Sequence, residues 1–202
     1  MTASELRARL RAGFGDASPQ HTGDDTADLD LGPFVPAAVL VPFVFGANPG
    51  VLLTKRTAHL KKHAGQISFP GGRIDPEDAS PEAAALREAE EEIGLDPAQV
   101  ELAGRLPDHV TGTGYRITPI LGLLPSGLGL AGLGLIPSPD EVDEVFELPL
   151  AVLLDPDAPR RTSAFWRGRM REYWEWPHAE HHIWGATAAI LVGLSHRLRQ
   201  AA

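Results

Sequence analysis

The chain has 202 residues, a formal net charge of -9 and no cysteine. This length is most simply one domain with a sizeable core, and the missing cysteines exclude disulfides, thiolate zinc sites and a cysteine nucleophile. The negative charge without a broad basic face argues against nucleic-acid binding, and no apolar run is long enough to cross a bilayer. We expect a cytoplasmic protein, since a chain without cysteine is compatible with a reducing compartment.

The apolar pattern and the turn-forming residues predict strands interrupted by two main helices. This pattern predicts a mixed α/β (α+β) fold, with one domain over residues 34–202 preceded by an N-terminal helix and loop arm over 1–33. In chain order, the predicted elements are a basic helix within 1–13, a loop over 13–33, a hairpin from 35–45 and 51–54, a short strand at 66–69, a helix over 81–93, strands at 99–106, 116–124 and 144–148, a hairpin over 160–176 and a helix over 183–198.

The helix predicted over residues 81–93 has clear signals at both ends. Ser80 is a good N-cap, because its hydroxyl can accept from an orphan backbone N–H of the first turn. Pro81 at the first helical position has no N–H to leave unpaired. Gly94 suits a left-handed cap just past the end.

One face of this helix carries Glu88, Glu91 and Glu92, at positions i, i+3 and i+4. Like charges at this spacing destabilise a bare helix, whereas a hard cation such as Mg²⁺ or Mn²⁺ would bind these carboxylates. Arg87 lies four residues before Glu91 and can orient it through an ion pair. The alternative interpretation is an ordinary solvated acidic face.

Residues 87–95, REAEEEIGL, resemble the second half of the Nudix box, and every defined position matches. The first half departs from the pattern: Asp78 follows Gly72 at the usual spacing but replaces Glu, and one extra residue separates it from Arg87. Glu77 is the other candidate for this acidic position.

A second motif lies directly upstream, in residues 52–57 (LLTKRT) and 69–72 (FPGG). With Lys61 and Gly65 between them, these segments resemble the motif that precedes the Nudix box in coenzyme A diphosphatases, and all the spacings agree. Thr57 replaces Ser and Lys61 replaces Arg. The three lysines of the chain all lie in this motif, so it forms a local cationic patch for a polyanionic substrate.

The resemblance implies a Nudix fold, in which a mixed sheet lies between helices, and hydrolysis of coenzyme A or its thioesters with Mg²⁺ or Mn²⁺. The implied products are 3′,5′-ADP and 4′-phosphopantetheine or its acyl form. The implied metal ligands are Glu88, Glu91, Glu92 and Asp78; the catalytic residues are Glu91, Glu88, Arg87 and Glu144; the substrate-binding residues are Arg56, Lys61, Arg73, Gly71 and Gly72.

Other residues leave alternatives open. Glu141 and Glu144 follow a Gly/Leu-rich segment and are candidates for a further ligand or a general base, or form a solvated acidic loop. His178, His181 and His182 lie near three tryptophans and are candidates for a metal site, an adenine-stacking platform or an edge cluster, although their spacing fits no strong metal motif.

Two rival functions are also compatible with the sequence. One is a Nudix hydrolase for ADP-ribose, NADH or another nucleoside diphosphate derivative. The other is a non-catalytic nucleotide-binding module that keeps the fold. The sequence makes no prediction of oligomeric state.

Overall fold

The computed structural model describes residues 1–13, 33–59, 63–176, 178 and 180–200. The helices are α1 (Ala3–Ala12), α2 (Pro81–Ile93), α3 (Leu150–Leu154) and α4 (Gly185–Gln200). The strands are β1 (Val35–Phe45), β2 (Gly50–Arg56), β3 (Ile67–Ser68), β4 (Gly71–Arg73), β5 (Glu101–Arg105), β6 (His109–Val110), β7 (Tyr115–Ser126), β8 (Val142–Pro149), β9 (Arg160–Trp166), β10 (Arg169–Trp176) and β11 (Ile183–Trp184).

Strands β1 to β8 form a mixed sheet of eight strands, ordered β3-β2-β1-β7-β5 along its main path. The short strands β4, β6 and β8 pair with β1, β7 and β2, respectively. The central pair, β1 with β7, is parallel, and the other pairs of this sheet are antiparallel. Strands β9, β10 and β11 form a separate antiparallel sheet. Both predicted hairpins are therefore confirmed.

The two faces of the large sheet pack against different helices because side chains alternate along each strand. On β1, Val41 and Phe43 belong to the larger core, together with residues of α1 and α4. Leu40 and Val44 face the opposite way and pack in a second core with the alanines of α2. The predicted sheet between helices is thus confirmed.

The N-terminal helix packs onto this domain through Leu6 and Leu10, which are fully buried in the larger core. Most of the predicted loop, residues 14–32, lies outside the described residues, so the division at residue 33 stays a prediction. In the part of the chain that the structure describes, no helix has the length and apolarity to span a membrane.

Two predicted elements differ in the structure, and the short elements α3 and β6 were not predicted. The Gly-Gly turn is itself a strand, β4, because residues 71–73 pair with β1. The last helix begins at Gly185, two residues later than predicted, because Ile183 and Trp184 pair with β10. Its predicted apolar stripe is confirmed, since Leu191, Leu194 and Leu198 are all buried in the larger core.

Helix α2 begins and ends where its sequence signals predict. The Ser80 hydroxyl accepts a hydrogen bond from the Ala83 backbone N–H at 3.2 Å. Gly94 adopts a left-handed conformation with φ 66°, and its N–H donates to the Ala89 and Glu90 carbonyls. These caps fix the two ends of the helix that carries the acidic residues.

We expect Ser80→Ala to lower the free energy of unfolding by about 1 kcal/mol, because an N–H of the first turn loses its acceptor. Urea denaturation measures this change. Ser80→Asp retains an acceptor at the same position and is the control. Equal losses in the two variants would contradict the capping role.

Candidate active site

Helix α2 presents its acidic residues beside β4 because its other face is anchored in the second core. Ala85, Ala89 and Ile93 are fully buried there. The helix packs against β1 and β4. Glu88, Glu91 and Glu92 therefore lie at the edge where β4 meets the helix.

Glu92 is not a solvated residue of the acidic face, since its side chain is only 4% exposed. Its carboxylate accepts hydrogen bonds from the Gly71 backbone N–H at 3.1 Å and from Arg56 Nη1 at 3.2 Å. Burial raises the pKa of Glu92 to about 7, while Gly71 and Arg56 favour the charged form. Glu92 thus ties α2 to β4 and to β2.

Gly71 and Gly72 allow this close approach of helix and strand. A Cβ atom on Gly72 would lie 2.5 Å from the Glu88 carboxyl carbon. Gly71 has φ +150°, and a Cβ there would lie 2.6 Å from Val39 Cα. Glycine is required at position 71, because a side chain there would clash with the backbone of β1. At position 72 a side chain would displace the Glu88 carboxylate or the strand.

Arg87 lies at the centre of the acidic residues. Its guanidinium forms two hydrogen bonds with Asp78, each 3.0 Å, and one of 3.1 Å to each of Glu88 and Glu91. It also donates to the Arg73 carbonyl at 3.3 Å. These contacts, led by Asp78, raise the pKa of Arg87. The predicted ion pair with Glu91 is present, and Arg87 offsets the repulsion between the acids.

Asp78, rather than Glu77, meets Arg87 in the structure. Its carboxylate takes both hydrogen bonds from Arg87 and a third from the Asp75 backbone N–H at 2.8 Å. The Arg87 guanidinium holds the pKa of Asp78 below its usual range. Glu77 is exposed. Asp78 was predicted to be a metal ligand. This geometry instead favours a role for Asp78 in orienting Arg87.

The structure brings Glu141, but not Glu144, to these acids. The charge of Glu141 contributes to the raised pKa of both Glu88 and Glu92, after the larger effect of burial. The Thr57 backbone N–H and hydroxyl hold the loop before β8, donating to the carbonyls of Glu141 at 3.0 Å and Asp140 at 3.1 Å.

Glu144 lies on the other face of the sheet. On β8, Val145 packs in the core that contains α2, and the adjacent Phe146 packs in the larger core. Glu144 projects to the same side as Phe146, where its carboxylate lies 3.5 Å from His181 Nε2. Sequence analysis named both Glu141 and Glu144 as candidates. The alternation of side chains along β8 places Glu144 on the face away from the acidic residues of α2.

The predicted phosphate-binding cations lie in different surroundings. Arg56 is turned towards Glu92, and its Nε is buried without a hydrogen-bond partner. Arg73 is exposed, donates to the Tyr115 hydroxyl at 3.3 Å and lies over the tyrosine ring at 5.9 Å from the ring centroid. Lys61 lies outside the described residues. Tyr115 and Thr57, as contacts of site residues, were not predicted by sequence reasoning, because neither residue type signals its partner.

The histidines form two stacks at the edge of the larger core. His181 stacks on Phe146, with 3.8 Å between ring centroids, and His178 stacks on His181 at 4.9 Å. His182 instead lies 2.9 Å from Glu175 and stacks on Trp184. The arrangement favours an edge cluster over a metal site.

The acidic residues of α2 fit a hard divalent cation by their chemistry. They supply carboxylate oxygen, the ligand that Mg²⁺ and Mn²⁺ prefer, and the missing side chain of Gly72 lets the Glu88 carboxylate lie directly against β4. Across the described residues, no three acidic or histidine side chains are gathered at coordinating distance. Instead Arg87 holds Glu88 and Glu91, so binding a cation requires these carboxylates to turn away from the guanidinium.

Known proteins resemble this chain in sequence and in fold. The family model for the NUDIX domain matches residues 35–167. The chain is 45% identical over 155 residues to a protein of Escherichia coli (strain K12 / DH10B) described as "uncharacterized Nudix hydrolase NudL", covering 77% of this chain and 78% of the relative. A NudL protein of Shigella boydii serotype 4 matches equally well, with 45% identity over 155 residues. The NUDIX domain of Shewanella oneidensis NrtR, solved with ADP ribose, shares the fold, with TM-score 0.50, 19% identity and coverage of 100% of this chain and 99% of that domain.

Proposed function

Because the chain belongs to the Nudix family and is thus a hydrolase of phosphoric anhydrides, we propose that it cleaves the diphosphate bond of coenzyme A or its thioesters. The products are 3′,5′-ADP and 4′-phosphopantetheine or its acyl form. The observation that carries this proposal is the contact between the two sequence motifs. Arg56 and Gly71 of the upstream motif both donate to Glu92 of the Nudix helix.

The upstream motif resembles that of coenzyme A diphosphatases, and it is built into the acidic site rather than lying beside it. Thr57 of the same motif anchors the loop that carries Glu141. Residues that distinguish this subfamily therefore position both the buried carboxylate and the loop facing it. Such contacts support a link between the motif and the chemistry of the site.

In the proposed mechanism, Glu88, Glu91 and Glu92 hold Mg²⁺ or Mn²⁺. When bound, the metal polarises the diphosphate and lowers the pKa of a bound water. Glu141 faces these acids from the loop before β8 and accepts a proton from the attacking water. Gly71 and Gly72 keep the β4 backbone close to the carboxylates, so that the substrate diphosphate can lie against both.

Substrate recognition needs cations, because coenzyme A carries a diphosphate and a 3′-phosphate while the protein has a net charge of -9. An acidic surface repels such a polyanion unless positive charge is gathered at the site. We assign the binding of the substrate phosphates to Arg56, Lys61 and the exposed Arg73.

The cytoplasm stays the predicted location of the protein.

We expect Asp78→Ala to lower kcat/KM by about 10- to 100-fold, roughly 1.4 to 2.8 kcal/mol, because Arg87 loses two charge-assisted hydrogen bonds and the orientation they impose. Steady-state kinetics with the same metal measures the change. Glu77→Ala removes the neighbouring exposed acid and is the matched control. A larger loss in Glu77→Ala than in Asp78→Ala would reverse the assignment of the first acidic position.

A substrate panel tests the choice of coenzyme A. We expect kcat/KM for coenzyme A or acetyl-coenzyme A to exceed that for ADP-ribose and NADH by at least about tenfold, a difference of about 1.4 kcal/mol. Equal turnover of ADP-ribose and coenzyme A would reject the specific assignment and leave the family chemistry. Nucleotide binding without turnover of any of the four would indicate the non-catalytic module.

A further inference from the structure

The hairpin of β9 and β10 lies outside the proposed site and has an unusual composition. We call residues 160–171 the basic hairpin. It contains five arginines and neither lysine nor any acidic residue. The rest of the chain holds all 27 acidic residues and only 13 of the 18 lysines and arginines. Glu172 and Glu175 follow on β10, and Glu172 pairs with Arg161 at 3.2 Å, so the net positive charge of the hairpin lies towards its tip, on a protein that is otherwise strongly negative.

The tip of the basic hairpin also exposes large apolar side chains. Phe165 and Met170 are direct cross-strand partners, so they share one face, and they are 70% and 57% exposed. On the other face, Arg167 and Arg171 lie over the Trp166 ring, at 4.6 and 5.6 Å from its centroid. The tip therefore combines an apolar pair with an arginine–tryptophan stack.

This composition is typical of a protein–protein interface. Phe, Trp, Met and Arg are enriched in the centres of such interfaces, whereas Lys is depleted. Strand β9 is an edge strand, and within the described residues its only strand partner is β10. An exposed edge with an apolar pair is a surface that another chain can cover.

We propose that the basic hairpin docks onto the acidic body of a second copy of this chain. Charge complementarity selects this arrangement, because two such hairpins facing each other would repel while hairpin and body attract. A two-fold axis lets each protomer insert its hairpin against its partner, so one contact occurs twice. Phe165 and Met170 then form the apolar centre of each contact, and the four exposed arginines, Arg160, Arg161, Arg167 and Arg169, form its charged rim.

Sedimentation velocity of the full chain at protein concentrations of about 1 to 100 μM tests this proposal. The expected result is a dimer for the native chain and at least about tenfold weaker association for the double variant Phe165→Ser, Met170→Ser, a change of about 1.4 kcal/mol. Ile136→Ser is the matched control, since Ile136 is 76% exposed but lies elsewhere. Circular dichroism verifies that the variants remain folded.

Hydrogen exchange of the native chain provides a second measurement that needs no variant. We expect amide protection in residues 160–170 to rise with protein concentration, and association to weaken at high salt because exposed charges are screened. A native chain that stays monomeric across the concentration range, or a folded double variant that associates as well as the native chain, would overturn the proposal. A monomer whose hairpin binds anionic vesicles or nucleic acid would overturn it as well.

Discussion

Glu91→Gln is expected to reduce metal-dependent turnover by about 10³-fold, equivalent to about 4 kcal/mol of transition-state stabilisation. The substitution keeps the shape of the side chain and removes the charge that a divalent cation requires. Because the Glu91 side chain is 60% exposed, the free energy of unfolding should change by less than about 0.5 kcal/mol. Initial rates and urea denaturation of the same preparation separate the two effects.

Glu90→Gln is the matched control for this variant. Glu90 lies on the same helix, is exposed and carries the same charge, but it is not one of the acids that contact Arg87. We expect the turnover of this variant to stay within about twofold of the native value. A twofold change corresponds to about 0.4 kcal/mol of activation free energy. If Glu91→Gln retains activity, or if the two variants lose activity equally, the assignment of the metal ligands is wrong.

Gly72→Ala is expected to reduce turnover by about 100-fold, because its new methyl group would occupy the place of the Glu88 carboxylate. A Cβ atom at position 72 would lie 2.5 Å from the Glu88 carboxyl carbon and from one of its oxygens, so the strand or the side chain must shift. A ligand displaced by this amount also weakens metal binding. The expected signature is a lower kcat together with a higher Mg²⁺ concentration for half-maximal activity.

Gly129→Ala controls for the loss of a glycine elsewhere. A Cβ atom at position 129 would meet no atom within 4 Å, and Gly129 has φ -85°, which any residue adopts. We expect native kinetics in this variant. Unchanged metal dependence in Gly72→Ala would show that the close approach of β4 to Glu88 has no part in catalysis.

The local sequence was sufficient to predict α2 and the elements around it. Ser80 and Gly94 mark its ends by the chemistry of capping, which acts within a few residues and is therefore visible in the sequence. The apolar, β-branched run over residues 35–45 predicts the strand β1. The partners of that strand depend on long-range packing, so the parallel pairing of β1 with β7 was not predicted.

The residue types of the site were predictable from the sequence, but most contacts between its side chains were not. The sequence identified the acids of α2 and the ion pair between Arg87 and Glu91, because both depend on helical spacing. It did not predict that Glu92 would be buried against Gly71 and Arg56, since those contacts join three separate segments. The choice between Glu141 and Glu144 likewise depends on which face of β8 each occupies.

Product analysis after incubation of the enzyme with coenzyme A and Mg²⁺ tests the central claim most directly. Chromatography should show 3′,5′-ADP and 4′-phosphopantetheine in equal amounts, and EDTA should abolish both. The claim would be contradicted if coenzyme A stayed intact while the same preparation hydrolysed ADP-ribose or NADH. The protein would then be a Nudix hydrolase with a different substrate.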